Sequence, residues 1–73
     1  MSENKKKKCY DIMFNDDEKS DSKGFRESFE YCLNYIRTYN GTNDGYFEDY
    51  KGGIVSICDA DDYSIEYYNE VVK

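Results

Sequence analysis

Cysteine and carboxylate side chains are the candidates for chemistry in this protein, since its 73 residues include no His. Without an imidazole, Ser-His-Asp and Cys-His catalysis are excluded within the chain, as is a Cys₂His₂ zinc site. Cys9, Cys32 and Cys58 lie too far apart in sequence to supply the close ligand pairs of zinc or iron–sulfur sites. We therefore expect reduced thiols that act as small buried side chains, and neither a metal nor another cofactor.

An acidic turn near the end of the sequence is the next candidate. Asp59, Asp61 and Glu70 match positions 1, 3 and 12 of a calcium-binding EF-hand loop, but Tyr63 and Ser64 stand where that loop needs a ligand and a Gly. Hydrogen bonding of Asp side chains to the local backbone is enough to explain such a turn. A protein this short rarely encloses a cleft of enzyme size, so we expect that it is not an enzyme.

Alternation of apolar and polar residues predicts a first strand over Cys9–Asn15. Tyr10, Ile12 and Phe14 fall on one face of this strand, and we expect that face to be buried. Residues 15–22 are polar and include four acids, so they are expected to form a loop.

A helix is predicted from about Lys23 to Tyr39, where apolar residues recur every three or four positions. Ser22 or Asp21 is a suitable N-cap, and Asn40-Gly41 favours a left-handed stop at the other end. The apolar positions are expected to form the core face of the helix; they are Phe25, Phe29, Cys32, Leu33 and Ile36.

The sequence after the helix contains two further strand patterns. Residues 42–53 are less regular and predict a short strand or an ordered loop. The apolar run from Ile54 to Cys58 predicts a central strand, and a four-residue turn separates it from an alternating segment over residues 63–68. On one face of that last strand we expect Tyr63, Ile65 and Tyr67.

The element order is therefore β-α-β-β, which predicts a single α+β domain over residues 9–73 after a flexible basic arm over residues 1–8. One helix is expected to pack on a sheet of three or four strands. If the first and second strands pair directly they should be parallel with a right-handed crossover, and if the third lies between them the pairing is antiparallel. No apolar run could span a bilayer or serve as a signal-peptide core, so we expect a cytoplasmic protein with no membrane partner.

Charge is unevenly distributed along the sequence. The net charge is −6, but residues 1–8 hold four Lys and one Glu and sum to +3, so residues 9–73 carry −9. Between positions 38 and 70, eight acids accompany Lys51 as the single basic residue. Nucleic acid repels so anionic a region, and no direct nucleic-acid binding is expected.

Tyr side chains alternate with these acids. Solubility alone explains scattered acids, whereas interleaved Tyr is typical of a protein-binding surface, where carboxylates pair with Arg and Lys of a basic partner. A sheet covered by one helix leaves its other face open, and Glu66, Tyr68 and Glu70 are expected on that face. The candidate contact residues are Asp59, Asp61, Asp62, Glu66, Tyr68 and Glu70, with Asp44, Glu48, Asp49 and Tyr50 as a second patch.

In size, acidity, Tyr content and a residue usage that fits AT-rich coding, the whole sequence resembles the small anti-defence proteins of phages and mobile elements, anti-CRISPR proteins among them. Some of these proteins mimic DNA or plug the nucleic-acid channel of a nuclease. The resemblance implies a non-catalytic inhibitor, in the cytoplasm of a bacterial host, that occludes a basic nucleic-acid-binding site on a defence nuclease such as a CRISPR effector. The alternatives are a module that sequesters a nucleotide signal, and a structural or assembly subunit that adds a sheet edge to a neighbour.

Overall fold

Residues 8–72 are described by the computed structural model of the protein. The elements in sequence order are β1 (Tyr10–Asn15), β2 (Ser20–Ser22), α1 (Phe29–Tyr39), α2 (Gly45–Asp49), β3 (Ile54–Asp59) and β4 (Ile65–Glu70). The strands form one antiparallel sheet in the order β2-β1-β3-β4, and α1 packs against β1 and β3. The α+β class is as predicted. Of the arm predicted to be flexible, residues 1–7 lie outside the described residues.

The core lies between the helices and the two inner strands. Ile12 and Phe14 on β1 stand opposite Ile57 and Val55 on β3, and all four are fully buried. Tyr10, the third residue of the predicted buried face, packs against the same cluster from its edge. The first strand and its inward face are therefore confirmed.

A short strand, β2, replaces the last part of the predicted loop over residues 15–22. The carboxylate of Asp16 accepts the backbone N–H groups of Glu18 and Lys19, both at 2.8 Å, and this tight turn brings β2 back along β1. All three residues of β2 are exposed, so no apolar pattern marks it. Because β2 adds one reversal of direction, β3 pairs directly with β1 and is antiparallel to it, whereas direct pairing was expected to be parallel.

The main helix, α1, starts later than predicted. Ser28 is its N-cap, and the Ser28 side chain accepts the backbone N–H of Tyr31 at 3.0 Å, so the predicted caps Ser22 and Asp21 are wrong. The predicted end is confirmed, because Asn40 is the C-cap and Gly41 has a φ of +90°. Ser28 is also a residue type that caps helices, and it lies closer to the apolar positions than Ser22 does, so it decides where the helix begins.

Residues 23–27 run beside β1 instead of continuing the helix towards its predicted start. Backbone hydrogen bonds tie this segment to Ile12 and Tyr10 at its two ends. Between these points it moves away from the strand, and the carboxylate of Asp11, 1% exposed, accepts the N–H groups of Ile12 and Phe25. Asp11 thus supplies an acceptor for two backbone donors, one buried and one partly buried.

A five-residue helix, α2, replaces the short strand or loop predicted over residues 42–53. Asp44 caps it by accepting two backbone N–H groups. Phe47 and Tyr50, one helical turn apart, are both buried, and their rings contact Phe14 with centroids 4.9 and 5.5 Å away. Aromatic packing on β1 therefore fixes this segment as a helix.

The central strand and the hairpin that follows it are confirmed, but the facing of β4 is not. The pairing shifts register between Ile57 and Cys58, so Tyr67 stands opposite Ile57 and Ile65 stands opposite Cys58. These two residues lie on different faces of the sheet, and Ile65 is 56% exposed. Tyr63 lies in the turn with a φ of +62°. The prediction that Tyr63, Ile65 and Tyr67 share a face of the last strand is therefore wrong.

Candidate protein-binding surface

Four of the predicted contact residues lie together where β3 turns into β4; we call Asp59, Asp61, Asp62 and Glu66 the turn cluster. The Asp59 carboxylate accepts the backbone N–H groups of Asp61 at 2.7 Å and Asp62 at 3.4 Å. Asp59 itself is buried, so it shapes the turn more than it offers contact area. The backbone of the turn therefore holds the Asp59 carboxylate in place.

Two hydrogen bonds from Ser64 hold the Asp62 carboxylate. The carboxylate accepts the backbone N–H of Ser64 at 2.9 Å and the Ser64 hydroxyl at 2.8 Å. Hydrogen bonds of this kind favour the charged carboxylate, and they lower the pKa of Asp62 below its ordinary value of 3.8.

Basic side chains of the same molecule already contact the turn cluster. Lys8 Nζ lies 2.6 Å from a carboxylate oxygen of Glu66 and 3.6 Å from Asp59, and a guanidinium nitrogen of Arg26 lies 2.7 Å from Asp61. The hydrogen bond to Glu66 raises the pKa of Lys8, and the one to Asp61 raises the pKa of Arg26. Both cationic side chains are more than half exposed. The turn cluster therefore accepts both an ammonium and a guanidinium while remaining open to solvent.

The second predicted patch is divided between surface and core. Glu48 and Asp49 are exposed on α2, with Lys51 Nζ at 3.6 Å from Glu48 and Lys19 Nζ at 3.3 Å from Asp49. Asp44 serves as the cap of α2 and also accepts the Tyr35 hydroxyl at 3.4 Å. Asp44 therefore stabilises the start of α2 and its contact with α1.

Tyr50 does not contribute to a contact surface, which corrects the prediction for this residue. It is 1% exposed, and its hydroxyl donates to the Asp21 carboxylate at 2.7 Å. Burial, together with this hydrogen bond, raises the pKa of Tyr50. Tyr50 is a core residue whose hydroxyl reaches the edge of the sheet.

The predicted open-face group also separates. Tyr68 and Glu70 stand opposite Ser56 and Ile54, on the face away from α1, and Tyr68 is 67% exposed. Glu66 follows the register shift and does not lie with them; it contacts Lys8, and the Tyr10 hydroxyl lies 3.5 Å from it. The surface thus consists of the turn cluster at one end of β4 and an exposed Tyr in its middle.

A groove of about 430 Å³ along α1 was not predicted as a site. Tyr31, Tyr35 and Tyr39, spaced four residues apart, line it together with Asn34 and Thr38. Lys23 Nζ lies 5.2 Å from the centre of the Tyr35 ring. The i, i+4, i+8 spacing of the Tyr residues was the signal that could have identified this groove.

Residues 8–72 contain neither a group of side chains suited to bind a metal ion nor a helix long and apolar enough to cross a membrane. Comparisons of the sequence and fold with protein-family models, with curated proteins and with solved structures find no match. Inference about function therefore depends on the surface itself.

The three thiols form no disulfide. Cys32 and Cys58 are buried, as predicted, and Cys9 is partly buried. Burial raises the pKa of Cys32 to about 11 and also raises the pKa of Cys58. At neutral pH these two groups are thiols rather than thiolates, which suits packing and not nucleophilic chemistry.

Proposed function

We propose that the protein is a non-catalytic inhibitor that binds the basic nucleic-acid-binding site of a bacterial defence nuclease and blocks it by occlusion. The observation that carries the proposal is the contact of Lys8 and Arg26 with the turn cluster at 2.6 and 2.7 Å. Arg and Lys of a basic partner can take the place of these two side chains, because both are exposed and close to solvent. Basic grooves of proteins are mostly nucleic-acid channels, which makes such a partner the favoured one.

The carboxylates and the exposed Tyr have different tasks in this mechanism. Negative charge on the turn cluster steers the encounter with a basic groove and accelerates association. Tyr68 supplies rigid contact area that is lost from water when the complex forms. Because backbone hydrogen bonds already hold Asp59 and Asp62 in place, little ordering is needed when the partner binds.

The test begins with capture of the protein's partner from a bacterial lysate, followed by measurement of the dissociation constant with the purified partner. Asp61→Lys and Glu66→Lys should each weaken binding by about tenfold or more, since each replaces an attraction with a repulsion. Asp17→Lys, in the exposed β1–β2 turn at the other end of β1, is the matched control with the same change in charge. Binding that resists both reversals, or a captured partner without a nucleic-acid site, would sink the proposal.

The groove along α1 favours a second candidate, a module that sequesters a nucleotide signal. Tyr rings can stack on a base, and Lys23, whose Nζ lies 4.0 Å from the centre of the Tyr46 ring and 5.2 Å from that of Tyr35, is a nearby cation for a phosphate. A rise in thermal midpoint with nucleotides, abolished by Tyr31→Ala, would support this candidate. The absence of any shift with mononucleotides and cyclic dinucleotides would reject it.

A further inference from the structure

β4 is the last strand in the order β2-β1-β3-β4, so its outer side is one of the two edges of the sheet. With six residues, β4 is a longer edge strand than β2, which has three. Val71, just past this strand, directs its backbone towards the sheet: its N–H donates to the Gly53 carbonyl at 2.9 Å, and its carbonyl accepts the Gly52 N–H at 3.1 Å. Backbone directions alternate along a strand, so the groups of Glu70 and Tyr68 point outward.

At Glu70 this outward edge is already covered by the amide group of Asn40. The amide nitrogen of Asn40 donates to the Glu70 carbonyl at 2.9 Å, and the amide oxygen of Asn40 accepts the Val72 backbone N–H at 2.8 Å. In a parallel sheet, one residue bonds the carbonyl of a residue on the adjacent strand and the N–H of the residue two positions further along that strand. Asn40 thus takes the place of a neighbouring strand. The Glu70 N–H donates to the side-chain oxygen of Asn69.

At Tyr68 the edge has no such cover, because no side chain among residues 8–72 hydrogen-bonds its outward N–H or carbonyl. The Tyr68 ring is also exposed, as is the side chain of Ile65. Proteins usually protect an edge strand with charge, and although β4 carries Glu66 and Glu70, the side chains of Tyr68 and Ile65 stay exposed beside them. An unpaired backbone beside exposed apolar surface is the geometry of strand addition.

We propose that the outer edge of β4 at Tyr68 docks an extended basic segment of a partner protein as an additional strand. Glu70 follows Tyr68 by two positions and the turn cluster lies at the start of β4, so positive side chains on such a segment would find carboxylates at both ends of the edge. Lys8 Nζ, 2.6 Å from Glu66 and 3.6 Å from Asp59, shows that the carboxylates at the start of β4 already hold a cation. Docking of this kind does not require that the partner be a nuclease.

A second copy of the protein fits this edge less well. Antiparallel self-pairing centred on Tyr68 places Glu66 opposite Glu70 of the other copy, and symmetry repeats that pair. Like charges directly opposite each other destabilise a strand pair, and two molecules with a net charge of −6 repel at longer range. The same carboxylates that disfavour self-pairing favour a basic strand.

Two peptides of equal charge test strand addition. One is an eight-residue peptide of alternating Lys and Thr, and the other is its twin with alternate amides N-methylated, so that it cannot donate along one edge. At millimolar concentration the first peptide should slow hydrogen exchange of the Tyr68 amide by about tenfold or more, and the twin should bind about tenfold more weakly. Tyr68→Pro, which removes an outward N–H that an edge strand can lose, should abolish binding of the first peptide. Tyr68→Ala, which keeps the N–H, should retain part of it.

Three results would overturn the inference. Equal binding of both peptides would reduce the interaction to charge alone and would leave the proposed inhibitor function standing. Failure of the first peptide to bind, or protection of amides elsewhere than on β4, would show that the edge is not a docking strand. A dimer with a protected Tyr68 amide in the absence of peptide would replace the basic partner with a second copy. If Tyr68→Pro fails to fold, the comparison of the two peptides decides.

Discussion

Lys8 Nζ lies 2.6 Å from a carboxylate oxygen of Glu66, although 58 positions separate the two residues in the sequence. Lys8, the last residue of the basic N-terminal segment, therefore meets the acidic turn in the folded protein. If the turn cluster binds a basic partner, Lys8 competes with that partner for Glu66.

Removing Lys8 should tighten binding to the basic partner at low salt. Lys8→Ala exposes the Glu66 carboxylate to the partner's cations, and we expect a several-fold lower dissociation constant near 50 mM salt that disappears as salt screens the surface. Lys51→Ala is the matched control, since Lys51 lies 3.6 Å from Glu48 on α2 and away from the turn cluster. Equal tightening in both variants, or weaker binding of Lys8→Ala, would show that Lys8 does not occupy the binding site.

Removing the Tyr50 hydroxyl should destabilise the fold without affecting binding. Tyr50→Phe keeps the ring stacked on Phe14 but leaves the Asp21 carboxylate without its donor at 2.7 Å. We expect the thermal midpoint to fall by roughly 4–8 °C, the usual consequence of one lost hydrogen bond in a domain of this size. Tyr68→Phe, at an exposed position, should leave the midpoint unchanged; a fall as large as that of Tyr50→Phe would contradict the assignment of Tyr50 to the core.

Asp62 should contribute to the loss of stability in acid. Its pKa in the folded protein is held below the ordinary 3.8 by Ser64, so its contribution to stability is complete above that value and is lost as pH falls through the lowered pKa. In Asp62→Asn the thermal midpoint should therefore change less between about pH 5 and about pH 2 than in the parent protein. An unchanged dependence on pH would show that the hydrogen bonds from Ser64 do not favour the carboxylate, and Asp17→Asn controls for the lost charge.

The buried thiols should resist alkylation until the protein unfolds. With the pKa of Cys32 raised to about 11 and that of Cys58 also raised by burial, neither is a thiolate near pH 8. Iodoacetamide should modify the partly buried Cys9 first, and should reach Cys32 and Cys58 only when urea is added. Mass spectrometry of the intact protein counts the modified residues, and rapid modification of all three without urea would contradict the buried positions.

The sequence predicts those elements whose burial imposes a regular pattern. Alternation identified β1, a helical stripe identified most of α1, and an apolar run identified β3, because each of these elements turns one face or both to the core. The polar strand β2 has no buried residue, so its formation depends on pairing with β1 and not on pattern. The five residues of α2 are too few to show a helical period. The sequence pattern did not identify Ser28 as the N-cap of α1 in preference to Ser22.

The sequence predicts the charge of the candidate surface better than it predicts where the individual side chains lie. The acids of the turn cluster were identified because Asp residues between two strand patterns must lie in a turn. Burial of Tyr50 against Phe14, and the register shift that moves Glu66 towards Lys8, depend on contacts between residues distant in the sequence. Asn40 was recognised as a helix stop, but its bonds to the edge of β4 need the folded arrangement to be seen.

Competition between the protein and duplex DNA for the captured partner measures occlusion most directly. Binding of fluorescent DNA to the partner is followed while the protein is added, at about 50 mM and about 300 mM salt. We predict that the protein displaces the DNA completely with simple competition, and that Asp61→Lys or Glu66→Lys needs about tenfold more protein for the same displacement. A ternary complex in which the partner holds both DNA and protein with unchanged affinities would contradict inhibition by occlusion.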